Sequence, residues 1–160
     1  MANGMPLAYQ DSWDNACTTI RAALITSANT AFTARFGTGL VADKTFHLDF
    51  LPPKINVAAL FMGGGTDVAH TWSDSKPKEL IMPSRIEGRF NSRTDARAFA
   101  MMMLNAIPVS RTSNVSEFRL AGNPEPTMER TRLANDKSER MYWKIVIPCL
   151  AVFLTDEEFT

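Results

Sequence analysis

S-R-T-D-A-R-A-F-A-M-M-M-L-N-A-I-P, residues 92–108, is the stretch whose reading decides the fold. Ser92 stands three residues ahead of Asp95, the spacing of a capping box, in which side chains satisfy the free N–H groups at the start of a helix. Ala96, Phe99, Ala100, Met103, Leu104 and Ile107 then recur at three- and four-residue intervals, one face of a helix, until Pro108 ends the run. The polar residues Arg93, Asp95, Arg97 and Asn105 lie near its ends, and Met101 and Met102 fall partly outside the main stripe. A helix with so little polar surface is covered on two sides or packed against a neighbouring subunit.

Working outward, the residues on both sides change period. Upstream, Glu79–Asn91 reads as a strand, interrupted at Pro83, which predicts an edge position or a bulge there. Before it, Phe46, Leu48 and Phe50 alternate with Thr45, His47 and Asp49, the pattern of a half-buried strand, and Pro52-Pro53 stops it. Ile55–Met62 is a second apolar run, closed by Gly63-Gly64-Gly65. The polar stretch Thr66–Lys78 reads as a long loop in which Val68 and Trp72 are the large apolar residues, so Trp72 is either a partner contact or a cap on its own core. Downstream, Ser116, Phe118 and Leu120 alternate with Glu117 and Arg119. Gly122–Pro126 is a turn by composition, Met128–Ala134 a weak strand, and Asn135–Ser138 a polar turn. The closing strand Glu139–Leu154 is apolar on both faces, which implies helices on one side and loops or another subunit on the other. Pro148 within it predicts a bulge or a change from paired to edge strand.

A second long helix comes first in the chain. Asp11 or Ser12 opens it, and Trp13, Ala16, Cys17, Ile20, Ala23, Leu24, Ala28, Ala31 and Phe32 keep a stripe until Gly37. Two helices separated by hairpin-like groups of strands indicate one α+β domain over residues 1–160. Its sheet is expected to be mostly antiparallel, with about four to six strands and two long helices packed on it. Residues 1–11 are expected as an extended N-terminal arm and 155–160 as an acidic C-terminal tail.

The totals bound the function. At 160 residues the chain buries roughly 68–70% of its unfolded surface, enough for a core without disulfide or metal. Seventeen Lys and Arg balance seventeen Asp and Glu, which argues against sequence-specific nucleic-acid binding or attraction to an anionic membrane. No apolar run reaches the ~18 residues that span a bilayer, and no secretory leader is evident, so synthesis in the cytoplasm is expected. Cys17 and Cys149 fall in core patterns, the setting of inert reduced thiols.

Candidate chemistry is sparse. His47 and Asp49 share one face of the predicted strand, an acid–base or metal-ligand spacing, but His70 is the only other histidine, and zinc sites use three or four protein ligands. Gly63-Gly64-Gly65-Thr66 lacks the Lys and the helix start of a phosphate loop. Arg85, Arg89, Arg93 and Arg97 form a basic series around the strand-to-helix junction. Interleaved with Glu87 and Asp95, it reads as an ion-paired surface, or as a patch for an acidic partner such as Asp156, Glu157 and Glu158 of another copy. No enzymatic activity and no cofactor are expected.

Taken together, an amphipathic helix soon after the N-terminus, the passage R-F-N-S-R-T-D-A-R-A-F-A at residues 89–100, and the final Y-W-K-I-V-I-P-C-L-A-V-F at 142–153 resemble the tail terminator proteins of long-tailed bacteriophages, the group that includes the minor tail protein U type. The resemblance runs from about Ser12 to Leu154. It implies a structural virion protein: a ring of identical subunits, typically a hexamer, that caps the tail tube and meets the head-completion or neck protein. Another neck component, a head-tail adaptor or tail completion protein, is the alternative within the virion. A small enzyme or ligand-binding domain using His47 and Asp49 is the alternative outside it.

Overall fold

The computed structural model describes residues 7–62, 69–71, 78–107 and 115–155, with side-chain surroundings for 16–62, 83–107 and 118–152. The elements are α1 (Leu7–Phe36), β1 (Phe46–Leu48), β2 (Val57–Met62), β3 (Ala69–Thr71), β4 (Lys78–Phe90), α2 (Arg93–Ala106), β5 (Val115–Leu120), β6 (Glu125–Thr131) and β7 (Arg140–Thr155). The architecture is α+β: two helices on a mostly antiparallel sheet, with one parallel pair, β1 with β2.

The expected stripes become the core. In α2, Ser92 caps the helix by accepting the Asp95 N–H at 3.1 Å, and Ala96, Phe99, Ala100, Met103, Ala106 and the following Ile107 are buried, while Leu104 is half-buried. In α1, Ala16, Cys17, Ile20, Leu24, Ala28 and Phe32 are buried, and Gly37, with φ of 72°, ends the helix by donating its N–H to Thr33 O at 2.9 Å. The helix starts at Leu7 rather than at Asp11 or Ser12, so residues 7–11, expected in an extended arm, are helical. Residues 1–6 lie outside the described residues. Arg35 near the end of α1 clasps Asp95 in the first turn of α2 at 3.0 Å, and Phe32, Phe36, Phe90 and Phe99 form a chain of ring contacts with centroids 4.6–6.2 Å apart.

The sheet is organised by β4 and β7, which pair along all 13 residues of β4, from Lys78↔Thr155 to Phe90↔Trp143, without a register shift. β2 and β3 lie end to end along the free side of β4, and β5 and β6 lie end to end along the free side of β7. Seven segments thus occupy five positions across the sheet, with β1 outermost beside β2. β3 falls within the stretch expected as a continuous loop.

This arrangement explains both strand prolines. Pro148 faces the break between β5, which pairs through Cys149, and β6, which pairs through Val146, and its carbonyl accepts from Ala121 N at 2.8 Å across that break. N–H and C=O of one strand residue point to the same side, so the donor that proline lacks has no strand to pair with there. Pro83, two ladder steps away, has the same parity and faces the break between Met62↔Ser84 and Ala69↔Ile81. Of the two alternatives expected at Pro83 and Pro148, the β4–β7 ladder shows no bulge; each proline instead stands at a local edge, where the neighbouring strands are interrupted.

Alternation then sorts the two faces. Phe46, Ala58, Leu60, Met62, Ile86, Phe90, Ile145, Ile147, Cys149 and Ala151 line the buried face under the helices. The other face carries Arg85, Glu87 and Arg89 of β4 beside Lys144, Val146, Pro148 and Leu150 of β7. Loop backbone closes one end of it: Arg89 Nη1 donates to Pro52 O at 2.6 Å, and Ala134 N to Pro53 O at 3.0 Å. The β6–β7 turn is tied by Asp136, whose Oδ2 accepts from Leu133 N at 3.1 Å and Tyr142 Oη at 2.6 Å.

Candidate assembly surfaces

The four arginines of the strand-to-helix junction do not make one patch. Arg85 and Arg89 sit on the face away from the helices, as part of a charge lattice. Arg85 Nε donates to Glu87 Oε2 at 2.6 Å and lies 4.1 Å above the Phe61 ring, while Lys144 Nζ reaches Glu87 Oε1 at 2.8 Å. Glu87 is 4% exposed. Burial pushes its carboxyl upward, but hydrogen bonds from Lys144 and Arg85 outweigh that and hold it below the ordinary value. Arg89, also buried, pairs with Glu129 at 3.1 Å. These charges are consumed within the subunit, because a buried ion needs its partner close by.

Arg93 and Arg97 belong to α2 and stand on the opposite face. The Arg93 guanidinium lies 5.7 Å from the Trp143 ring centroid, and Arg97 is exposed and makes no ion pair among the described residues. Both line a groove of about 610 Å³ between α2 and β6, floored by Met101, Leu104, Pro126 and Ile145. Trp72, Asp156, Glu157 and Glu158, the other residues expected at an interface, lie outside the described residues, as does the glycine run at 63–65.

The exposed large apolar side chains define the surfaces that pattern reading missed. Among the described residues they are Val41, Phe50, Met101, Leu120, Met128 and Met141. Leu120 pairs with Cys149 and Met128 with Trp143, so both point to the helix side of the sheet. With Met101, 58% exposed, and Met141, they are the exposed large apolar side chains of the β5–β6 flank among the described residues. Val41 and Phe50 flank β1, at the other edge. The off-stripe position of Met101 was the one sequence signal of the flank. Phe50 continues the expected alternation, but the strand ends at Leu48 and leaves its ring 55% exposed against His47.

The expected pairing of His47 with Asp49 on one strand face does not hold. Asp49 lies beyond β1 with φ of 58°, a left-handed backbone that breaks the two-residue alternation, and the His47 Nε2 contacts Lys44 O at 3.1 Å. His70 lies in β3, where side chains are not described. No group of three or more His, Cys, Asp or Glu converges among the described residues. Cys17 and Cys149 are both buried, and burial pushes the Cys149 thiol up to about 12. No described helix is long and apolar enough to cross a membrane.

The chain matches no protein-family model and no curated protein by sequence.

Proposed function

We propose that the protein is a non-enzymatic structural component of a phage virion, a tail terminator whose copies form a hexameric ring that caps the tail tube and joins it to the head-completion or neck protein. One observation carries this reading beyond resemblance: among the described residues, the exposed large apolar side chains other than Met141 of β7 fall at two different, opposite edges of the sheet. Val41 and Phe50 flank β1 at one side, and Leu120, Met128 and Met101 flank β5 and β6 at the other. Two unlike surfaces on opposite sides are suited to head-to-tail contact, in which one edge of a subunit meets the other edge of the next. Such heterologous contacts close into rings, whereas a two-fold dimer uses one patch twice. The apolar surplus therefore has a place to be hidden when copies meet.

Native mass measurement tests it, with and without purified tail tubes. The expected result is a hexamer, or a monomer that becomes hexameric on tubes; a strict monomer indifferent to tubes rejects the proposal. Phe50→Asp and Met128→Asp, one at each edge, should each abolish the ring. Mixed together they retain one intact edge pair, so a heterodimer is expected. Rings from either variant alone would remove the edge-to-edge geometry.

A further inference from the structure

We propose that the groove between α2 and β6 receives the acidic segment Asp156-Glu157-Glu158-Phe159 of a neighbouring copy, with Arg93 and Arg97 meeting its carboxylates and the apolar floor taking Phe159. The proposal rests on the ring reading, since it requires a neighbour of the same chain.

Three observations point to this occupant. The first is charge. Among the described residues Arg97 is exposed and makes no ion pair, Arg93 makes none either and lies over the Trp143 ring, and Glu125 is the one acid in the groove lining. Residues 156–158 place three carboxylates in succession. The second is shape and polarity. Met101, Leu104, Pro126 and Ile145 supply an apolar floor beside the two cations, and the segment carries an aromatic ring directly after its acids. An anionic stretch ending in Phe satisfies both halves of such a groove.

The third is reach, which decides between the chain's own segment and a neighbour's. β7 ends at Thr155, opposite Lys78, whereas Arg93 lies over Trp143 at the other end of the same strand. Thr155 lies twelve residue steps along β7 from Trp143, roughly 40 Å at about 3.3 Å per residue. Glu158 is three residues past Thr155, and three extended residues span about 10 Å. The carboxylates therefore fall well short of their own Arg93 and Arg97. The end of β7 and the groove are at opposite ends of one subunit, so contact between them links successive subunits in one direction and reinforces head-to-tail order.

A charge-exchange cycle on the full chain tests it. Self-association is followed by sedimentation at low salt for the wild type, for Arg93→Glu with Arg97→Glu, for Asp156→Lys with Glu157→Lys and Glu158→Lys, and for all five substitutions together. Each single-sided variant is expected to associate about tenfold more weakly, as two or three exposed ion pairs turned repulsive would do. The five-fold variant should recover to near wild type. All substituted side chains lie at exposed helix positions or beyond β7; should the arginine reversals disturb folding by circular dichroism, Arg97→Gln gives the same comparison with a smaller loss. Unchanged association in the single-sided variants, or no recovery in the combined chain, overturns the groove assignment while wild-type rings leave the ring reading standing. A wild type that remains monomeric with and without tubes fails the ring reading, and this one with it.

Discussion

Gly88→Ala tests the packing on which the fold depends. Gly88 sits mid-sheet in β4, between Ala58 of β2 and Ile145 of β7, with its side-chain direction toward the helices. A Cβ built there lies 2.6 Å from Phe90 Cε2, 3.1 Å from Phe90 Cζ and 3.1 Å from Phe99 Cε2. Carbon atoms in contact prefer about 3.5–4.0 Å, so something must move. Neither ring is free to swing: Phe90 is stacked on Phe36 at 5.1 Å and tilted against Phe99 at 5.0 Å, and both are fully buried. Overpacking of this kind costs roughly 1–3 kcal/mol. Alanine recovers about 0.4–1 kcal/mol by narrowing the unfolded ensemble. The net expectation is a loss of about 1–2 kcal/mol, which in a domain of this size lowers the thermal midpoint by about 2–8 °C. Urea and thermal unfolding followed by circular dichroism and tryptophan fluorescence measure it. Phe99→Leu in the Gly88→Ala background removes one colliding ring edge, so the double variant should lose less than the sum of the two singles. A Gly88→Ala protein as stable as wild type, or strict additivity with Phe99→Leu, refutes the reasoning.

Two further outcomes follow from the titratable groups. The Glu87 carboxyl is held below its ordinary value of 4.5, so the stability it contributes is present above that value and is lost as pH falls through the depressed one. Acid unfolding curves of wild type should therefore fall more steeply below the ordinary carboxylate range than those of Glu87→Gln, and identical acid limbs contradict the lattice of Arg85, Glu87 and Lys144. Cys149, 1% exposed and with its thiol pushed up to about 12, should resist alkylation at neutral pH until urea opens the domain. Rapid labelling of Cys149 in the native protein, read by mass spectrometry of the peptide, counts against its place under the helices.

Local rules sufficed where one element answers to one pattern. The Ser92 cap and the stripe from Ala96 to Ile107 follow from helix geometry alone, and the alternation around Phe118 and along the closing strand follows from the two-residue period of a strand. Pro83 and Pro148 were legible as interruptions but not as to kind. The relief they need comes from breaks in other strands, β2–β3 and β5–β6, far away in the chain. The basic series was misleading for a related reason. Arg85, Arg89, Arg93 and Arg97 recur every four residues, but the backbone changes from strand to helix between the second and third. Two arginines thus point away from the helices into the lattice with Glu87 and Glu129, and two stand over the groove on the other face. The edges were hidden too, because whether Met128 or Phe50 is covered depends on how far the helices extend across the sheet.

Composition and periodicity by themselves determined the class of domain, two amphipathic helices on a mainly antiparallel sheet, because burying an apolar stripe leaves few arrangements for elements of these lengths. Tertiary structure alone decided which face each charge occupies, where the sheet is five positions wide and where it is broken, and which apolar residues stay exposed at its two edges. Those depend on pairing between residues such as Pro148 and Arg85, 63 positions apart, and register across such distances is set by the packed whole rather than by any one segment.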